Sequence, residues 1–209
     1  MTQTIIAIAA AFLLGGIPFA LIAGKVLKGI DIRNEGSGNL GATNAFRVLG
    51  PAPGIAVLVA DGAKGAAAVL LAKHLMGGVG DPASFVVPVL CAPAAMAGHT
   101  WTVFARFRGG KGVAAGAGAF LALAPLATGA VIAVWALFFA VSGYVSVGSM
   151  AAAAAFPPAV YLAAQGEDRG VLLVVSVLAA ALVLLRHVPN MKRLAAGTEN
   201  KLLRRSRQG

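Results

Sequence analysis

Three short stretches of this sequence concentrate the residue types that bind anions. The first reads Asn34-Glu-Gly-Ser-Gly-Asn-Leu-Gly-Ala-Thr-Asn-Ala-Phe-Arg47. Its glycines let successive backbone N–H groups converge on a negative charge. Ser37, Asn39, Thr43 and Asn44 add small donors, and Arg47 adds a planar fork suited to phosphate. Gly36-Ser-Gly38-Asn-Leu-Gly41 also matches the dinucleotide-binding pattern, with Asp61 coming 20 residues later. That match fails on context, because the fingerprint needs a preceding strand and an uninterrupted helix after it. Here an apolar stretch precedes it, Pro51 and Pro53 break the segment after it, and Asp61 lies in an apolar run. The plain alternative is a polar interfacial loop without a ligand; so many donors beside apolar sequence favour a functional loop.

The second stretch runs Gly98-His-Thr-Trp-Thr-Val-Phe-Ala-Arg-Phe-Arg-Gly-Gly-Lys-Gly112. Lys111 among glycines resembles a nucleotide loop, but position 105 is Ala and position 112 is Gly where that pattern requires Gly and then Ser or Thr. A lysine flanked by glycines before an apolar helix still offers N–H groups, a helix dipole and a mobile charge to an anion. Otherwise Arg106, Arg108 and Lys111 simply hold the loop against anionic lipid headgroups. The third stretch is Arg186-His-Val-Pro-Asn-Met-Lys-Arg-Leu-Ala-Ala-Gly-Thr-Glu199. His187 and Asn190 share a face there if the backbone is helical. A juxtamembrane basic tail is the competing reading.

The elements that must carry these stretches are membrane spans. Of 209 residues, 59% are hydrophobic and only 11% charged, against roughly 25% charged in soluble domains. Residues 112–166 contain no charge at all. A hydrocarbon core of roughly 30 Å requires about 20 apolar helical residues. The pattern predicts spans near 4–24, 52–76, 83–102, 112–126, 128–143, 148–165 and 170–186. The fourth reaches only about 22 Å and is expected to be tilted, broken or partly re-entrant. The first is expected to be a retained helix and not a signal peptide, since no Lys or Arg precedes its long apolar run. Single Cys91 supports neither a disulfide nor a metal site.

Fourteen of 17 Lys and Arg fall at 25–47, at 106–111 and in the tail from 186, which an odd number of spans puts on one side. The positive-inside rule makes that side cytoplasmic. The expectation is an all-α integral membrane protein of about seven transmembrane helices, with the N-terminus outside, the C-terminus cytoplasmic and no separate soluble domain. Lys73 is the exception, near an outer helix end where it can snorkel. Asp61 and Lys64 fall near the bilayer centre at i, i+3 spacing, which predicts a structural ion pair. Tyr144-Val-Ser-Val-Gly-Ser149 falls at a cytoplasmic turn, level with the basic stretches.

The three stretches, in this order and over nearly the whole chain, resemble the bacterial membrane acyltransferases that acylate glycerol 3-phosphate from acyl phosphate. The resemblance rests on residues 36–47, on Gly98-His99 through Gly109-Gly-Lys-Gly112, on His187-Val-Pro-Asn190 with Arg193 and Glu199, and on Asp61-Gly-Ala-Lys64-Gly65. It implies a single acyltransferase domain, 1–209, of seven helices in the cytoplasmic (inner) membrane, with the active site facing the cytoplasm. The implied substrates are glycerol 3-phosphate and a fatty acyl phosphate. The products are 1-acyl-glycerol 3-phosphate and phosphate, in the first acylation of phospholipid synthesis. It implies catalytic roles for Ser37, Arg47, His187 and Asn190. Substrate binding falls to Gly38, Asn39, Asn44, Gly109, Gly110, Lys111, Gly112, Ser149 and Arg193, and Glu199 matches a largely structural acid. No cofactor, metal or nucleic-acid partner is implied; membrane lipids are. Two departures stand out: Gly143 replaces a basic residue common before the Tyr, and Ala115 a Thr common after the lysine.

An acyl phosphate is already an activated mixed anhydride, so direct attack by the alcohol needs no acyl-enzyme. Alignment and charge stabilisation would supply most of the catalysis, with the proton going to His187 or to a substrate phosphate oxygen. His99 is followed five residues on by Phe104 and not by an acid, unlike the His-plus-acid acyltransferases that use thioesters. The rival class is a transporter or channel for an organic phosphate anion, since glycine-broken helices and basic residues also serve translocation.

Overall fold

A computed structural model of the chain describes residues 1–77, 83–165 and 169–202, and contains helices but no strand among them. The α-helices run in order: α1 Thr2–Gly16, α2 Phe19–Lys28, α3 Ala42–Leu49, α4 Pro51–Leu75, α5 Ala83–Thr100, α6 Val113–Leu121, α7 Pro125–Ser142, α8 Val145–Ala163, α9 Arg169–Arg186 and α10 Val188–Ala195. Among the described residues, six stretches are long and apolar enough to cross a membrane, with α1 and α2 together forming the first. Large apolar side chains such as Val59, Leu137, Leu162 and Val174 point outward, as a lipid solvent allows. The principal core lies among α4 to α9, around Met96, Phe120, Phe156 and Val175.

Two expected spans are interrupted, the fourth in the way its length foretold. The first, 4–24, is broken at Ile17-Pro18. Proline there ends the hydrogen-bond ladder, and the freed carbonyls find other donors. Thr102 Oγ1 donates to the Gly16 carbonyl at 2.5 Å, and Lys64 Nζ to the Ile17 carbonyl at 2.6 Å. The fourth, 112–126, contains only the nine residues of α6, about 13.5 Å of helix. Glycines on both helices set how α6 packs on α4: a Cβ at Gly65 would strike the Ala115 backbone, and one at Gly118 the Gly62 backbone. Helix α6 therefore lies backbone against backbone on α4, the small-residue contact that membrane helices favour. Pro125 then starts α7, three residues earlier than expected.

Short as it is, α6 links the two ends of the bundle. Helix α7 ends at Ser142, next to the start of α8, where Ser146 bonds Glu199. The start of α7 therefore lies at the opposite end, where Lys73 Nζ donates to the Ala122 carbonyl at 2.6 Å. Lys73 thus caps a helix end instead of only snorkelling. The expected pair forms in mid-bundle, with Lys64 Nζ 2.7 Å from Asp61 Oδ1 and both side chains buried.

Candidate active site

The first anion-binding loop is shaped by one side chain from the helix that comes after it. Asn44, in the first turn of α3, is 1% exposed. Its Nδ2 donates to the carbonyls of Ile32 (3.2 Å) and Glu35 (3.1 Å), and its Oδ1 accepts the Ser37 N–H at 2.8 Å. Gly38 adopts a φ of +68°, the left-handed region that costs other residues dearly. Folded this way, the loop turns Ser37 and Asn39 toward a cavity, with Arg47 one turn beyond Thr43. Arg47 Nη2 also donates to the Asn200 carbonyl at 3.0 Å, tying the tail to this side.

The second loop packs on the end of α5. The Gly110 N–H donates to the His99 carbonyl at 3.0 Å. A Cβ at Gly109 would overlap that carbonyl, and one at Gly110 would overlap His99 Nε2. Gly112 starts α6 at a φ of +80°. Lys111, between them, extends Nζ to Asn190 Oδ1 at 2.5 Å. Burial pushes Lys111 down to about 8, with the Glu199 carboxylate opposing the shift, so the ammonium is still charged at neutral pH.

The third stretch closes the ring. Helix α9 ends at Arg186, and His187 caps α10. His187 Nδ1 lies 2.7 Å from the Val183 carbonyl, which can only accept, so Nδ1 carries the proton and Nε2 is left as a base. Burial, then the Lys111 charge, pushes the imidazole down to about 4 and keeps it neutral. Glu199, its side chain 5% exposed, accepts from Asn190 Nδ2 (2.6 Å), Arg193 Nε (2.6 Å) and Ser146 Oγ (2.9 Å). Burial alone would raise this carboxyl; the three hydrogen bonds outweigh it and hold the group below its ordinary value.

These elements surround a cavity of about 560 Å³. Of the residues expected at the site, Ser37, Asn39, Asn44, Arg47, Lys111, Ser149, His187, Asn190 and Arg193 line it. Gly38, Gly109, Gly110 and Gly112, expected to bind substrate, are not among its lining residues and act through backbone shape and close packing. Asn44 uses both ends of its amide on the loop, and Ser149 Oγ donates to the Val145 carbonyl at 2.9 Å and accepts from Trp135 Nε1 at 3.3 Å. Asp61, His99, Ser146 and Arg186, which sequence reasoning left out of the site, also line the cavity. Arg186, at the end of a span, reads as an ordinary interfacial cation; its Nη2 approaches the Gly110 carbonyl at 3.4 Å, and its buried Nε has no partner among the described residues.

Val113, Ala117, Ile132, Trp135 and Ser149 also border a second, apolar cavity of about 100 Å³ that continues toward Phe120 and Phe156. The arrangement offers four cations and a neutral imidazole at one end and an apolar slot at the other. It can hold phosphate groups beside a carbon chain.

Comparison with known proteins gives a consistent result. The family model described as glycerol-3-phosphate acyltransferase matches residues 5–197. A glycerol-3-phosphate acyltransferase of Trichlorobacter lovleyi is 47% identical over 201 residues, covering 96% of this chain and 98% of the relative. One from Geotalea daltonii is 44% identical over 200 residues, with 96% and 98% covered. Among solved structures, the crystal structure of PlsY (YgiH), an integral membrane glycerol 3-phosphate acyltransferase, in its glycerol 3-phosphate form superposes with a TM-score of 0.84, 33% identity and 96% of each chain covered. Its lysophosphatidic acid form gives a TM-score of 0.82 at 32% identity, covering 95% of this chain and 94% of that one.

Proposed function

This chain belongs to the glycerol-3-phosphate acyltransferase family, and from that premise we propose that it transfers a fatty acyl group from acyl phosphate to position 1 of glycerol 3-phosphate. The products are 1-acyl-glycerol 3-phosphate and inorganic phosphate. The observation that carries this reading is the convergence of Ser37, Arg47, Lys111, His187 and Asn190 on one cavity whose wall continues into an apolar slot.

Two phosphates must meet for this reaction, and four cations, Arg47, Lys111, Arg186 and Arg193, line the cavity. The glycerol hydroxyl oxygen attacks the acyl carbonyl carbon, the carbon–oxygen bond to phosphate breaks, and inorganic phosphate departs with the electron pair. The hydroxyl proton goes to His187 Nε2 or to a substrate phosphate oxygen, and His187→Gln distinguishes these routes. The fixed cations stabilise the charge that builds on the phosphate and the tetrahedral oxygen, and the apolar slot receives the start of the acyl chain. In this reading the chain crosses the bacterial inner membrane seven times, α6 serving as a short fourth crossing. The N-terminus is outside, and the cavity faces the cytoplasm, where the basic loops lie.

Purified protein assayed separately with acyl phosphate, acyl-CoA and acyl carrier protein is the test, with lysophosphatidic acid as the product measured. Turnover with acyl phosphate alone is expected. Turnover with a thioester instead would overturn the donor, and a trapped acyl group on a Ser or on Cys91 would overturn direct transfer. Cysteine-accessibility mapping that put Ser37 and Arg193 on opposite sides would remove the shared pocket altogether.

A further inference from the structure

Beneath the lysine loop lies a cluster of buried charge that the reaction, as derived above, does not use. Asp61 is 1% exposed, and Lys64 and His99 are each 5% exposed. Lys64 Nζ is fixed twice, by Asp61 Oδ1 at 2.7 Å and by the Ile17 carbonyl freed at the break between α1 and α2. His99 Nδ1 faces the same Asp61 oxygen at 3.6 Å, beyond hydrogen-bond length. Charges inside a membrane protein are costly to keep without a task. A structural pair would need only Asp61 and Lys64. The histidine makes the cluster a relay between elements: its ring stands between Asp61 on α4 and Gly110, whose missing side chain leaves room for Nε2.

We propose that Lys64, Asp61 and His99 form a brace that sets the height of the glycine loop and so aims Lys111 at the phosphate of glycerol 3-phosphate. The inference rests on the acyltransferase reading of the cavity and assigns Asp61 and His99 to positioning. The geometry favours positioning for His99, since its Nε2 occupies the space that a Cβ on Gly110 would take. The route is short: Gly110 hangs from the His99 carbonyl through its own N–H, its carbonyl meets Arg186, and the next residue is Lys111. A ring that tilts or leaves lets the loop settle onto α5 and withdraws the ammonium from Asn190 and the cavity.

A kinetic cycle in the full-length protein tests this, using radiolabelled glycerol 3-phosphate and whichever acyl donor supports turnover. His99→Ala and Asp61→Asn are expected to raise KM for glycerol 3-phosphate by about tenfold or more while leaving donor KM within about twofold. His99→Asn, whose amide nitrogen replaces Nδ1, should recover most of the loss. In a Lys111→Ala background, residual kcat/KM should fall by less than about twofold on adding His99→Ala, because coupled residues are not additive. Defects that multiply, or a donor KM that moves equally, would overturn the brace. Where His99→Ala fails to fold by thermal unfolding in the same detergent, Asp61→Asn and His99→Asn carry the cycle. Wild-type protein that binds glycerol 3-phosphate without turnover would sink the reaction instead, and the brace would then be judged on Kd for glycerol 3-phosphate in the same variants.

Discussion

The loop 34–47 and the loop 109–112 border one cavity and both alternate glycine with polar residues, yet their glycines answer different needs. In the first, Gly36 and Gly38 supply positive φ so that the chain can curl around a neutral amide, Asn44. In the second, Gly109 and Gly110 supply absence, room for His99 to lie against the backbone. The first loop is held by hydrogen bonds along its own sequence, from residue 32 to residue 44. The second is held from outside, by residues of α5, α9 and α10. One loop presents a set of small donors, the other a single aimed cation. A locally closed loop should lose stability when its organiser goes, whereas an externally held one should lose function.

The largest effect expected from this contrast falls on the aimed cation. Lys111→Ala should lower kcat/KM for glycerol 3-phosphate by about 10²–10³-fold, the range for removing one transition-state donor. The unfolding temperature should stay close to wild type. Arg47→Ala is expected to lose less, since Arg193, a second guanidinium, also lines the cavity. Steady-state kinetics on both variants rank the two cations; normal kinetics in both would remove the phosphate site.

Next comes the glycine that has no left-handed angle to defend. Gly110→Ala should cut turnover by about 10-fold or more, because a close-packed interior does not yield to an added carbon without shifting the loop. A Gly110→Ala enzyme with wild-type kinetics would mean that His99 and the loop do not share a fixed spacing.

Asn44→Ala should act on stability more than on chemistry. It strands the Ser37 N–H and two carbonyls, at about 1–3 kcal/mol for leaving a buried partner unsatisfied. For a chain of this length that is roughly 2–4 °C of unfolding temperature per kcal/mol. Thermal unfolding with and without glycerol 3-phosphate measures it. A variant that unfolds like wild type would show that the loop does not depend on this amide.

The three blocks were legible because glycines, small donors and cations stand out in a chain that is otherwise apolar. Their meeting at one face came from span parity and the placing of Lys and Arg. Hydropathy could not separate α6 from a full span, because a nine-residue helix leading into an apolar turn has the same composition as a membrane crossing. Nor could it show that Asn44 faces its own loop while Ser37 faces the cavity, since side-chain direction is set by the backbone path. Asp61 and His99 lie on different helices and meet only through packing; the sequence marked the Asp61–Lys64 spacing but held no sign of the third member. Arg186 looked like any cation at the end of a span.

The smallest expected effect is also the one that separates the loops by their chemistry. Lys111 titrates near 8 because burial disfavours its charged form, whereas Arg47 on the other loop keeps its proton throughout the working range. His187, pushed to about 4 by burial and by the Lys111 charge, is already neutral above that value. Between these limits the ammonium is charged and the imidazole free, so the alkaline fall in kcat/KM belongs to Lys111. The acid fall, at about 6, belongs to the second ionisation of the substrate phosphate. In Lys111→Arg the alkaline limb should disappear from the range up to about pH 10, because a guanidinium does not deprotonate there, while the acid limb stays. The limb in kcat for the wild type should also lie above that in kcat/KM, because a bound phosphate favours the ammonium and kcat reports the loaded enzyme. An alkaline limb that remained near 8 in Lys111→Arg would assign it to another group and leave the two loops chemically alike.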